Sequence, residues 1–154
     1  MNIVALPWPN RYLSPNARVH HMVKSKVSRE HRAFAKVLAT RAEFKTLKNP
    51  VLCIQPIVVT RHRRDIDNVI AGLKASLDGL TDADWWDDDS NICGITIRKP
   101  LYIRGWNDAE IIIAADEWHN ESYLLARMKN FATDAQSNHD VAWNALIMLR
   151  PTNE

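Results

Sequence analysis

The stretch Arg61-His62-Arg63-Arg64-Asp65-Ile66-Asp67-Asn68 decides how this chain folds. Before it, VLCIQPIVVT (51–60) reads as a β-branched strand in which Pro56 requires an edge or a bulge. After it, Ile70, Leu73 and Leu77 recur at helical spacing, and Gly79 is placed to be the C′ residue. A strand that passes directly into a helix marks a mixed α and β unit. In an extended segment residues i and i+2 point the same way, so Asp65 and Asp67 present two carboxylates on one face. The helix start keeps them ionised, because its unpaired N–H groups and positive dipole end favour negative charge. That form suits a hard, oxygen-seeking cation such as Mg²⁺. The plain alternative is that one of the two is an N-cap.

Toward the N-terminus, residues 2–6 form a short strand, and Pro7, Pro9 and Pro15 keep the following basic loop out of helix to about Val27. Ser28 is the expected N-cap of a first helix, with Glu30 in its first turn and Phe34, Val37, Leu38 and Leu47 as its apolar stripe. Its other side is positive, with Arg32, Lys36, Arg41 and Lys45, and Asn49-Pro50 ends it. Toward the C-terminus, the loop LTDADWWDDDS (80–90) leads into a strand over 91–99 with Cys93, Ile95 and Ile97 alternating. A turn around GWND (105–108) returns the chain as a strand over 109–114. The order β-α-β-α-β-β predicts an α+β fold: a small mixed four-stranded sheet with helices packed on it. Helical composition resumes at about 117–131, with Leu124, Leu125 and Met128, and at about 141–149. Residues 1–116 are therefore read as the main domain and 117–154 as its helical C-terminal extension.

A length of 154 residues, 46% hydrophobic and 25% charged, fits one globular domain. No run approaches the roughly 18 consecutive apolar residues of a membrane span, and MNIVALPWPNRY has no basic segment followed by a long apolar stretch. The expectation is an untargeted cytoplasmic protein with no membrane partner. Cys53 and Cys93 form no CxxC pair and are expected to be buried thiols. With glycine only at 72, 79, 94 and 105, there is no GxSxG, GxxxxGK or dinucleotide fingerprint, which excludes those hydrolases and a nucleotide cofactor.

The net charge of +2 hides a segregation. Residues 1–64 carry thirteen Lys or Arg against two Glu, whereas residues 65–92 carry eight Asp against Lys74 alone. A basic half followed by an Asp-only cluster suits a protein that attracts a polyanion and holds a divalent cation against it; a solvated basic face balanced by an acidic loop is the bland alternative. Asp87-Asp88-Asp89 stands just before the strand that follows the second helix, where an acid can approach Asp65 and Asp67. Three such carboxylates suit metal-assisted phosphodiester hydrolysis. A calcium loop of EF-hand type fails on spacing: counting from Asp82 or Asp87, the twelfth position is Cys93 or Arg98 rather than Glu.

RRDIDN, a short helix, and then Asp-Asp-Ser-Asn-Ile opening a strand resemble the RusA-type Holliday junction resolvases, as does the opening ALPWPNRY. The resemblance covers roughly residues 2–115. It implies a homodimeric, Mg²⁺-dependent endonuclease, with Mn²⁺ as a possible substitute, that nicks four-way DNA junctions symmetrically. Many members are encoded by phages or prophages, which places the protein in a host cell's cytoplasm. Asp65 and Asp67 match the acids of the family's DxDN, and Asp89 matches the second acid of its Asp-Asp pair, so the resemblance makes these three the metal-binding catalytic carboxylates. Asp88 matches the preceding acid and Arg64 the basic residue before the motif. One departure stands out: where the family usually has a functional lysine, four residues after the second motif acid, this chain has Ala71.

Lys74, seven residues after Asp67 and within about 20° of its helical face, is the candidate to replace that lysine, its alternative being a solvated surface lysine. Arg11, Lys24, Lys26, Arg63 and Arg64 are candidate DNA contacts, with Arg29 and Arg32 able to extend the same track and His62 beside it. Trp85 and Trp86 sit directly before the acids, where they either stack on an unpaired base or pack into the core or a dimer contact. The six histidines form no HxH or HExxH pattern and receive no zinc or catalytic role. The alternative function is a catalytically weak or inactive branched-DNA-binding protein of the same fold, a reading consistent with Ala71.

Overall fold

The computed structural model describes residues 1–42, 44–62, 64–104 and 108–118. The strands are β1 (Asn2–Pro7), β2 (Pro50–Val58), β3 (Gly94–Ile97), β4 (Leu101–Tyr102) and β5 (Glu110–Glu117). The helices are α1 (His21–Arg41) and α2 (Ile66–Thr81), and single 3₁₀ turns stand at Arg11–Leu13 and Asp89–Asn91. The fold is α+β, as expected from the sequence, with a mixed sheet. It has five strands rather than four, in the order β1-β5-β2-β3, because the two-residue β4 also pairs with β2. β5 runs antiparallel to both β1 and β2, whereas β3 and β4 run parallel to β2. Glu117, expected to open a helix, instead ends β5, and the rest of the expected helices at 117–131 and 141–149, with most of the GWND turn, lies outside the described residues.

β2 is a central strand, so Pro56 is not at an edge; it stands at a bulge-like interruption, where the register slips by one residue between the Ile54–Ile97 and Ile57–Leu101 pairs. The Ile54 carbonyl accepts from Arg98 N–H (2.9 Å) and the Val58 carbonyl from Ile103 N–H (3.2 Å). Pro56, two residues from each, turns its nitrogen to the same side, opposite the interval between β3 and β4 where no ladder partner stands. The Gln55 side-chain amide bridges that interval, donating to the carbonyls of Pro56 (3.0 Å) and Lys99 (3.1 Å). The missing N–H therefore costs the sheet no bond.

The helix α1 begins seven residues before Ser28. His20 is its N-cap, and the imidazole Nδ1 accepts from the backbone N–H of Met22 (3.3 Å). It ends at Arg41, so Leu47 lies outside it, buried and bridged to Trp86. Its phase also differs from the sequence reading. Phe34 and Val37 are exposed, and the inward residues are Val27, Ala35 and Ala39. The small side chains face inward because α1 and α2 approach closely. A Cβ on Gly79 would overlap the Arg32 carbonyl oxygen and stand 2.9 Å from the Ala35 Cβ. Gly79 is therefore not the C′ residue of α2, which continues to Thr81; it is the point of closest contact between the helices.

One core joins these layers: Val4 and Leu6, Leu52 and Ile54, Ile111 and Ile113 from the sheet meet Ala35, Ala39, Val69, Leu73 and Leu80 from the helices. Trp85 and Trp86 belong to it, both fully buried and edge to face, with ring centroids 6.3 Å apart. The Trp85 indole N–H donates to the Ala39 carbonyl (3.3 Å), and that of Trp86 to the Thr81 hydroxyl (2.7 Å). Core packing, not base stacking, is their role. Cys53 is half-buried, with its thiol pKa pushed up by burial, and Cys93 is exposed, so the expectation of two buried thiols holds for neither in full.

Candidate active site

The strand β2 delivers the chain to Asp65, the N-cap residue of α2, with extended dihedrals (φ −83°, ψ 122°). Its carboxylate makes no cap bond to the N–H groups of the first turn, so capping does not explain an aspartate there. Asp67 lies in that first turn, exposed, where the helix dipole favours its charge. Because the helix starts at Ile66, the two acids do not share a strand face. Each helical residue turns the chain by about 100°, and the period-2 argument ends at Asp65.

The N-terminal segment fastens this end of α2. Trp8 N–H donates to the Ala109 carbonyl (3.2 Å), and the Pro9 ring rests on Gly72, where an added Cβ would lie 2.9 Å from the Pro9 Cβ. The amide of Asn16 donates to Oδ1 of Asn68 (3.3 Å), so the DxDN asparagine is tied to the loop after Leu13. Asn10 caps the 3₁₀ turn by accepting from Tyr12 N–H (3.0 Å), and its own N–H donates to Nε2 of His31 on α1 (3.3 Å). Partial burial holds the His31 pKa below the ordinary histidine value, with Glu30 opposing the shift. Asn16 and Asn10 were not singled out in the sequence; only their place in or near the LPWPNRY opening pointed to them.

The loop after α2 supplies the remaining acids. Asp88 caps the 3₁₀ turn at Asp89–Asn91, accepting from Ser90 N–H (2.8 Å). The Ser90 side chain, then its backbone N–H, holds the Asp88 carboxyl below the usual range. Asp88 thus has a local structural duty, whereas Asp89 stands in the first turn, exposed beside it. That turn contacts α2. Among the described residues, however, no three His, Cys, Asp or Glu side chains stand close enough together to hold a metal ion. The donor chemistry of Asp65, Asp67 and Asp89, exposed carboxylate oxygens only, suits Mg²⁺, which is commonly held by one or two carboxylates plus substrate phosphates. The geometry does not gather them into a three-ligand cage.

The basic candidates fall into two groups. Near the acids, the Arg64 guanidinium lies 5.3 Å from the centre of the Trp8 ring and 3.4 Å from the Thr60 hydroxyl. Arg11 stacks on Tyr12 at 5.0 Å, its NH2 group donating to the phenol oxygen (3.2 Å). Arg61 lies 4.9 Å from the Tyr102 ring centre, a pairing the sequence did not reveal because Tyr102 comes from the short β4. Arg63 is outside the described residues. On α1, Lys24 is exposed and Lys26 stands 3.9 Å from Glu30. Arg32 is committed elsewhere: it grips Asp82 with two bonds (2.6 and 2.7 Å), which ties α1 to the end of α2 and holds the Asp82 pKa down. Lys74 reaches forward to Asp78 (3.4 Å), away from Asp67, while Ala71 is exposed one turn after Asp67.

The mixed sheet thus passes from β2 into a helix headed by two exposed acids, with Arg64 and Arg61 on the segment that leads to it. No protein-family model matches the chain. It is similar to the crossover junction endodeoxyribonuclease RusA of Enterobacteria phage 82, 32% identical over 107 residues that cover 66% of this chain and 85% of that protein. It is also similar to RusA of Escherichia coli strain K12, 30% identical over 115 residues with the same coverage. An uncharacterised protein of Xylella fastidiosa is 42% identical over 93 residues, and there the chain spans 61% of the relative's length. The chain belongs to the RusA family. Among the described residues, no helix is long and apolar enough to cross a membrane.

Proposed function

We propose that this protein is a Mg²⁺-dependent, structure-selective DNA endonuclease that acts as a homodimer and resolves four-way junctions by paired nicks. The observation that carries this reading is the similarity of 66% of the chain to named crossover junction endodeoxyribonucleases, with Asp65 and Asp67 standing at the head of α2. Asp65 and Asp67 hold the cation, with Asp89 adding negative charge from the neighbouring turn. When bound, Mg²⁺ supplies Lewis-acid polarisation of the phosphate and an acidified water. The protein's own residues do the rest. Arg11, Arg64 and Lys24 draw the phosphate backbone toward the head of α2, and Lys26 extends that track. The Pro9–Gly72 contact and the Asn16–Asn68 bond keep that head in place. Two copies related by a two-fold axis match a nearly two-fold junction, which gives paired nicks in opposing strands.

A nicking assay on a synthetic four-way junction and its matching linear duplex tests the reading, with Mg²⁺, with chelator, and with Asp67→Asn. Paired Mg²⁺-dependent nicks on the junction, absent in Asp67→Asn while that variant still binds, are expected. The second reading, a branched-DNA-binding protein without catalysis, is favoured by Ala71 together with Lys74 turned toward Asp78. Binding without cutting, in Mg²⁺ and in Mn²⁺, would select it.

A further inference from the structure

The segment that leads from β2 to the acids is fastened on two sides. The Arg61 guanidinium lies 4.9 Å from the centre of the Tyr102 ring, and that of Arg64 lies 5.3 Å from the centre of the Trp8 ring. The two rings come from opposite flanks of the same sheet end. β4, which carries Tyr102, pairs with β2 on one side, while β5 and then β1, which leads into Trp8, lie on the other. Three steps between neighbouring strands separate β1 from β4 by about 14 Å. Both rings also stand on the face that carries the helices. Tyr102 is in register with Val58, which alternation places on the side of Ile54. Trp8 continues the alternation of Val4 and Leu6 and packs against the core that α1 and α2 close. Glu110, in register with Ile57, is turned to the other face.

Stacking has a chemical consequence. A guanidinium laid on an aromatic ring loses rotamer freedom but keeps its N–H edge, which matches two phosphate oxygens at once. Arg61 is exposed, as are Lys99 and Arg104, which flank β4 in sequence. Among the described residues, no carboxylate forms an ion pair with any of these three. Arg32 on α1, by contrast, is engaged by Asp82. The β4 flank therefore presents an oriented guanidinium with further positive charge beside it in the chain, across the β2 exit from Trp8 and Arg64.

We propose that Arg61, stacked on Tyr102, is a phosphate clamp for a second arm of branched DNA, with Lys99 and Arg104 adding charge, while Arg64 on Trp8 serves the arm that meets the acids. Branched DNA brings more than one arm to a single point, and two arginines oriented on opposite flanks of the β2 exit suit that geometry. The proposal rests on the DNA-directed reading above but not on catalysis. The test measures binding of the full-length protein to a four-way junction and to the matching linear duplex by fluorescence anisotropy across a salt series. Arg61→Gln weakens junction binding about tenfold or more and lowers the salt slope by about one, with a smaller loss on duplex, which has no second arm. Tyr102→Leu leaves every charge in place; it weakens junction binding with the salt slope unchanged, and adds little to Arg61→Gln in the double variant. Junction binding by Arg61→Gln with the parent's affinity and slope overturns the proposal, as does an equal loss on junction and duplex. A parent that binds junction without cutting it removes the catalytic reading alone, and the Arg61 comparison is read in the same way. A parent that binds neither DNA removes the DNA-directed reading, and the clamp with it. If Tyr102→Leu fails to fold, Arg61→Gln decides, because that side chain is exposed.

Discussion

Gly79→Ala separates close helix packing from ordinary helix chemistry. In an open helix interior the substitution stabilises by about 0.8–1.0 kcal/mol, because alanine loses less backbone freedom. Here the new methyl overlaps the Arg32 carbonyl oxygen and stands 2.9 Å from the Ala35 Cβ and 3.1 Å from the Lys36 nitrogen. Two of the three obstacles are backbone atoms, so no rotamer change relieves the contact and the helices must separate. Separation strains the Arg32–Asp82 pair and the Trp85 bond to Ala39, both of which bridge the same seam. Overpacking in a well-packed core costs about 1–3 kcal/mol, and because the overlap falls on backbone atoms the upper figure of about 3 kcal/mol applies, so after the propensity gain of about 1 kcal/mol a net loss of about 2 kcal/mol is expected. With a urea slope of about 2 kcal/mol/M, the midpoint falls by about 1 M. The buried Trp85 and Trp86 provide the fluorescence signal. A midpoint unchanged or raised in Gly79→Ala would refute the reasoning, because it would mean that the helices accommodate a methyl at no cost.

Trp86→Phe removes the indole N–H bonded to Thr81 and lowers stability by about 1 kcal/mol, measured by thermal melting; junction affinity by gel shift is unchanged, because the ring is fully buried. Ala71→Lys places an ammonium on the exposed face one turn after Asp67; single-turnover assays are expected to show junction nicking raised about tenfold or more, and no change would show that this position takes no part in the reaction. Asp82→Asn loses the Arg32 grip on the end of α2. The folded pKa of Asp82 lies below its unfolded value, so the pair stabilises the protein above the ordinary carboxylate range and ceases to as pH falls through the folded value. Because both side chains are part-exposed, the loss is small at neutral pH and disappears in strong acid, where the folded carboxyl is protonated, as urea titrations would read. His31→Gln keeps an acceptor for Asn10 N–H but does not titrate. In the parent, a folded pKa below the unfolded value means that stability present above about pH 6.5 declines as pH falls toward the folded value. The variant is expected to lose that slope, read as pH falls below about 6.5.

Local patterns were legible where one residue type admits one setting. The β-branched run before Arg61 became β2 and the run after it became α2, with the DxDN acids at its head, although Ile70 of the expected stripe is exposed and Val69, Leu73 and Leu80 face the core. Hydrophobic periodicity misjudged α1, because the large apolar Phe34 and Val37 face outward, while the inward contacts are Val27 and two alanines. The same seam explains Gly79. In sequence, a glycine near a helix end reads as a stop, and only the partner helix reveals that the space for a side chain is missing.

The site divides along the same line. That acids and basic residues are concentrated around residues 61–68 follows from the order of residues alone, because charge is a property of the chain, and the family resemblance joins LPWPNRY to them. The tertiary structure decided that Trp85 and Trp86 are core, that Lys74 turns to Asp78, that Arg32 is occupied by Asp82, and that Asp65, Asp67 and Asp89 do not close into a cage. Each of these depends on which residue stands opposite another across space. A linear pattern carries the chemistry of each side chain, but its partner is chosen by how β2, α1 and α2 pack.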